Sequence, residues 1–116
     1  MDILDGENED VVRVLGLFDQ GKQMEGPLVA DFIKRIAYPQ DLMAFLKKAG
    51  TRIVKFKETD FFNCVRDCEH HTLRVEVVEY LADAVEGRID HLTKLGILKL
   101  VGDSSHRERI TAKLKI

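Results

Sequence analysis

The sequence predicts a mainly helical α+β fold that closes with a small antiparallel pair of strands. Apolar residues recur three and four positions apart through most of the chain, which is the helical period. Asp83 and Glu86 have the spacing of a capping box, and residues 109–116 alternate strictly between apolar and polar types. The 116 residues are 45% hydrophobic, so a compact core in one domain or two small ones is expected.

Three helices are predicted in the first half. Asn8 is positioned to cap the first, which stops at Gly21, while Pro27 begins the second, and Pro39 begins a third that stops at Gly50. The apolar stripes are Val11, Val14, Leu15 and Phe18 in the first helix, then Leu28, Phe32, Ile33 and Ile36 in the second. The segment TRIVKFK that follows has the β-branched and aromatic content of a short strand.

The second half is predicted to hold three more helices. Thr59 and Thr72 can cap the first two, and the capping box of Asp83 and Glu86 opens a third that runs to Gly96. The break between the last two is only about two residues, and helices joined so tightly cross steeply, as in a helix-turn-helix.

A hairpin is predicted after the last helix. Residues 97–101 form the first strand, residues 102–106 the turn and residues 109–116 the second strand. Arg109 and Lys113 point to the outer face of this hairpin, which is therefore basic.

The C-terminal half resembles a known superfamily. VVEYLADAVEGRIDHLTKLGILKLV, followed by a polar turn and RITAKLKI, is similar to the helix, turn, recognition helix and β-wing of the winged helix-turn-helix transcription regulators. The resemblance implies a winged-helix domain at residues 58–116. Residues 1–57 are then an N-terminal helical region, which is either a dimerisation region or a second, degenerate winged helix. The second alternative rests on a faint repeat: a shift of 46 residues lays Met43, Leu46, Ala49 and Gly50 over Ile89, Leu92, Leu95 and Gly96.

The resemblance implies a transcription regulator that binds double-stranded DNA through the helix at 85–96 and the wing at 97–116. From Val85 onward there are seven basic residues against four acidic ones, although the whole chain has a net charge of −2. Arg88 and His91 are expected to reach base edges, and Lys94 to reach phosphate. Wing and backbone contacts are expected from Lys99, Arg107, Arg109 and Lys113.

A second function remains open. Glu86 and Asp90 lie on the same predicted helix face and would repel phosphates. Winged helices also serve as protein-docking modules. The alternative is therefore a protein–protein interaction module that acts as a structural subunit of a larger complex.

Other classes of function have less support. There is no phosphate-binding glycine loop, nucleophile elbow or HExxH motif, so no enzyme and no cofactor is predicted. The cluster of Cys64, Cys68, His70 and His71 has metal-ligand chemistry, but its spacing matches no standard zinc site, and a cysteine on an inner helix face is usually a core residue.

The remaining expectations concern assembly and location. A homodimer is expected through the N-terminal helices, because Val12 and Leu17 lie beside the main stripe of the first helix and are expected to remain exposed. The chain has no apolar run long enough for a membrane span. It starts with the acidic MDILDGENED, unlike the basic and then apolar start of a secretory signal, which favours an intracellular, cytoplasmic location.

Overall fold

A computed structural model describes residues 6–116, with side chains from Asp10 onward, so the start of the acidic segment lies outside it. The order of elements is α1 (Gly6–Asp19), β1 (Met24–Glu25), α2 (Gly26–Arg35), α3 (Pro39–Ala49), β2 (Ile53–Val54), α4 (Glu58–Asp67), α5 (Arg74–Leu81), α6 (His91–Lys99) and α7 (Ser104–Leu114). Single-turn 3-10 helices, His71–Leu73 and Ala82–Ala84, flank α5. The prediction of a mainly helical fold is confirmed.

The helices of the first half follow the sequence signals. Pro27 and Pro39 lie in the first turns of α2 and α3, where a missing amide costs no helical hydrogen bond, and Gly50 follows α3. Gly21 has a φ of 85° after the end of α1. Asn8 falls within α1, and its predicted cap lies outside the described side chains.

The two strands pair in parallel, with Met24 opposite Ile53 and Glu25 opposite Val54. The strand predicted in TRIVKFK is confirmed, but its partner is β1, a strand that was not predicted. Parallel neighbours need a crossover connection, and α2 and α3 provide it.

The predicted helix from Asp83 to Gly96 is wrong in its first half. Residues 85–90 are irregular, and α6 begins at His91 with the Asp90 carboxylate accepting from the Leu92 amide at 3.1 Å. The Glu86 carboxylate caps no helix and instead accepts from the Lys55 amide at 2.8 Å. Gly87 then turns the chain with a φ of 80°. In addition, α6 packs mainly on α4 and α7, so α5 and α6 do not form the expected helix-turn-helix pair.

The predicted antiparallel wing is also wrong. Residues 97–99 complete α6, and residues 104–114 form α7, capped by the Asp103 carboxylate that accepts from the amides of Ser105 and His106 at 2.9 and 3.1 Å. Alternation along residues 109–116 suggested a strand, but the buried positions are Ile110 and Leu114, four apart. Burial therefore follows the helical period.

One hydrophobic core joins residues from both halves of the chain. Helix α2 packs on α4, while α3 packs on α1 and α5. Phe45 lies at its centre, with ring centroids 5.0 Å from Phe32 and 5.9 Å from Phe18. The two segments related by the shift of 46 residues end differently in the structure. Gly50 follows the end of α3, whereas Gly96 lies within α6. No helix among the described residues has the length and apolar character needed to cross a membrane.

Candidate interaction surfaces

Two of the predicted DNA-binding arginines are engaged within the protein. Arg107 Nη1 donates to the carbonyl oxygens of Leu98 and Val101, at the C-terminal end of α6, at 3.3 and 3.1 Å. Arg109 lies on α7 and faces α5, where Nε donates to Glu79 at 3.0 Å and Nη2 donates to Glu76 at 2.9 Å and to Glu79. These carboxylates hold the pKa of Arg109 above its ordinary value. A phosphate at Arg109 would have to compete with two glutamates.

Three other residues predicted to bind DNA line one cleft of about 250 Å³: Arg88, Lys94 and Lys113. Asp83 also lines this cleft, which is called the basic cleft below. Lys113 Nζ forms an ion pair with the Asp83 carboxylate at 2.8 Å. The side chains of Arg88 and Lys94 form no hydrogen bond or ion pair with the part of the chain that the structure describes. The cleft therefore holds three cations and one carboxylate.

His91 and Lys99 stand apart from the basic cleft. They occupy the first and last positions of α6, roughly 12 Å apart along its axis, and both are exposed. The structure thus brings together three of the seven predicted DNA-binding residues and separates the other four.

The cysteine and histidine cluster does not converge. Both thiols are buried, and Cys68 Sγ donates to the His70 carbonyl oxygen at 3.4 Å. The ring of His70 points elsewhere, with Nε2 donating to the Ile36 carbonyl oxygen at 3.0 Å, and His71 is exposed. Burial, reinforced by the charge of Asp60, raises the pKa of the Cys64 thiol and so disfavours the thiolate that a metal needs. Within residues 10–116, no three His, Cys, Asp or Glu side chains are placed to hold a metal ion.

A mainly apolar concavity lies between the end of α1 and the start of α2. This apolar groove measures about 420 Å³ and is lined by Val14, Leu17, Phe18, Lys22, Gln23, Met24, Glu25 and Leu28. Leu17 and Leu28 are 40% and 57% exposed. The exposure predicted for Leu17 is confirmed, but Leu28 was wrongly assigned to the inner stripe of α2, which Val29, Phe32 and Ile33 form instead.

The walls of the groove are held in place by the fold. The chain reverses after α1, where the amides of Gly21 and Lys22 donate to the carbonyl oxygens of Phe18 and Leu17, each at 3.0 Å. The Met24 amide then donates to the Arg52 carbonyl oxygen at 2.9 Å, which ties β1 to the segment before β2. Because Phe18 is only 3% exposed, the floor of the groove is part of the core. The groove is therefore a preformed feature.

Two charged side chains lie at the rim of the groove. Lys22 and Glu25 both line it, and neither forms a hydrogen bond or ion pair through its side chain with any residue in the described range. Asp19 is close in sequence but pairs with Lys48 at 2.6 Å. The rim thus offers one positive and one negative group that are free to meet a partner.

Some exposed apolar residues lie outside the groove. Val12 is 64% exposed on α1 and Leu92 is 75% exposed at the start of α6. Val12 precedes Leu17 by five positions, which places it about 140° away around the helix.

Comparison with known protein families, with curated proteins and with solved structures gives no match to this chain.

Proposed function

We propose that this protein is a docking module of a larger assembly, and that its apolar groove receives an apolar segment of another polypeptide chain. The supporting observation is the groove itself, a preformed concavity flanked by the exposed side chains of Leu17 and Leu28. Binding sites are typically concave and apolar with a few polar groups at the edge, which fits this arrangement.

Burial of Leu17 and Leu28 would supply part of the binding free energy. Their exposed fractions, 40% and 57%, together amount to about one whole side chain. Burying one leucine completely contributes roughly 1.5–3 kcal/mol, so an occupant that covers both would gain about that much from these two residues alone. Val12 and Leu92 are exposed singly, and a single exposed apolar residue is normal on a protein surface.

The test is selection of short peptides from a random displayed library, followed by affinity measurement with fluorescently labelled peptides. We expect apolar peptides whose NMR shift changes map to Val14, Leu17 and Met24. Leu28→Ser should weaken their binding at least tenfold, whereas Val12→Ser, at a similarly exposed valine outside the groove, should leave it unchanged. Selected peptides that bind Leu28→Ser as well as the parent protein would exclude the groove as the docking site.

Binding of double-stranded DNA is the second candidate function, and the basic cleft favours it. Arg88 and Lys94 are unpaired within the described residues and lie beside Lys113. Arg88 belongs to an irregular segment and not to a helix, which suits contacts to phosphates more than reading of base edges. Such binding would be largely independent of DNA sequence and would weaken steeply with salt.

Fluorescence anisotropy on a labelled duplex at several salt concentrations tests this candidate. Arg88→Ala and Lys94→Ala should each weaken binding and lower the salt slope by roughly one unit. Arg109→Ala is the matched control, because Arg109 is already paired with Glu76 and Glu79 and should contribute little. If Arg88→Ala and Lys94→Ala bind duplex as the parent does, the cleft is not a DNA site.

A further inference from the structure

We infer that the occupant of the apolar groove is the same groove of a second copy of this chain, so that the protein forms a two-fold symmetric dimer. This inference rests on the proposed docking function and names its partner. A two-fold interface brings a surface patch against its own copy, so the patch must be complementary to itself. The groove satisfies this requirement in shape and in charge.

Leu17 and Leu28 flank the hollow of the groove. The groove contains a hollow of about 420 Å³ and carries Leu17 on one wall and Leu28 on the other. Leu28 is 57% exposed at the edge of this hollow, so more than half of its surface is available to a partner. In a two-fold arrangement, Leu28 of each copy packs against the hollow of the other, and one type of contact forms twice.

The rim of the groove carries one charge of each sign. Lys22 and Glu25 carry opposite charges, line the same groove and have no side-chain partner among the residues described. When the groove meets its own copy, Lys22 of each chain can pair with Glu25 of the other. A strongly acidic or strongly basic partner would instead attract one of these groups and repel the other.

The groove is small for a protein–protein interface, so the dimer is expected to be weak. Its eight lining residues are fewer than the roughly 20–30 residues a side of a standard interface. We therefore expect a reversible equilibrium between monomer and dimer that depends on concentration.

A variant that lacks residues 1–21 would not test the dimer, because the deletion also removes Val11 and Phe18 from the hydrophobic core.

Sedimentation equilibrium of the full chain, from low micromolar to millimolar concentration, measures the association directly. The mass should rise from the monomer value of 13.2 kDa towards twice that value. Leu28→Ser should weaken association at least tenfold, while Val12→Ser should not change it. Thermal unfolding followed by circular dichroism checks that both variants, which change exposed residues, remain folded.

Charge reversal tests the symmetry. Lys22→Glu alone and Glu25→Lys alone should each weaken self-association about tenfold, because each places like charges opposite one another. An equimolar mixture of these two variants should associate as strongly as the parent, since every contact then joins a lysine to a glutamate. The double variant Lys22→Glu/Glu25→Lys should also associate like the parent.

The outcomes separate this inference from the proposed function. A chain that remains monomeric at millimolar concentration overturns the dimer, and so does a mixture of the two charge variants that associates no better than either one alone. Peptide binding that Leu28→Ser abolishes would still support docking at the groove in either case. If the chain neither associates with itself nor binds peptides at the groove, the docking function is excluded as well.

Discussion

Substitution of Gly26 by alanine should destabilise the protein strongly, although only one methyl group is added. Gly26 is the first residue of α2, and a Cβ there would lie 2.5 Å from the Lys55 carbonyl oxygen and 2.6 Å from Phe56 Cα. Both are backbone atoms, so neither can rotate away. The φ of Gly26 lies outside the left-handed region, so the cost comes from packing and not from backbone strain.

The loss of stability is worked out from the distance that α2 must move to relieve this contact. Ordinary contact begins near 3.4 Å, so α2 must move away from the segment after β2 by about 0.9 Å. Gaps of roughly 0.5–1 Å forfeit a quarter to a half of the dispersion energy at each contact that opens. Helix α2 packs on α4, and its residues Val29 and Ile33 are essentially fully buried. We expect a loss near the upper end of the usual range for overpacking, about 3 kcal/mol, and a fall in Tm of roughly 10–20 °C.

Urea and thermal denaturation followed by circular dichroism measure this effect. Gly16→Ala is the matched control, because Gly16 lies on the exposed side of α1 and a Cβ there has no atom within 4 Å. Removal of a glycine from a helix interior should stabilise the protein by about 0.5–1 kcal/mol. A Gly26→Ala protein with a stability within about 0.5 kcal/mol of the parent would refute the reasoning, because overpacking of that size should cost more.

Three further predictions test other parts of the fold. Gly87→Ala should destabilise by about 1–2 kcal/mol in urea denaturation, because the φ of 80° is costly for alanine, whereas a continuous helix through residue 87 would be stabilised by the same change. Hydrogen bonds from Ser105 and then His106 lower the pKa of Asp103. The carboxylate therefore stabilises the fold above the ordinary carboxyl pKa, and this contribution is lost as pH falls through the lowered pKa. Asp103→Asn should accordingly reduce the fall of the unfolding free energy at acid pH. Cys64 should resist iodoacetamide at neutral pH and react after unfolding, since burial raises the pKa of its thiol; rapid alkylation of the folded protein would contradict this.

Much of the candidate surface was beyond sequence reasoning. The exposure of Leu17 was predictable, because it lies beside the apolar stripe of an amphipathic helix. Leu28 lies four residues before the buried Phe32, a spacing that suits one helix face, yet it is exposed while Val29 in the same turn is fully buried. Arg109 and Lys113 were recognised as surface cations, but the carboxylates of α5 and of Asp83 that pair with them are distant in sequence.

The sequence by itself determined the elements whose signals are local and unopposed. Pro27, Pro39 and Gly50 mark α2 and α3 because their effects act within one helical turn, and the β-branched residues Ile53 and Val54 indicated β2. The partner and direction of β2 were decided by the packing of the crossover helices.

Tertiary structure decided the C-terminal half, where local signals were ambiguous. A capping interaction contributes only about 1 kcal/mol. Glu86 forms a hydrogen bond with the distant Lys55 amide instead, and Asp90 caps α6. Ile110 and Leu114 lie an even number of residues apart and also one helical turn apart, so their spacing suits a strand as well as a helix. The helix prevails because it buries both of them in the shared core, and burial of each contributes roughly 1.5–3 kcal/mol.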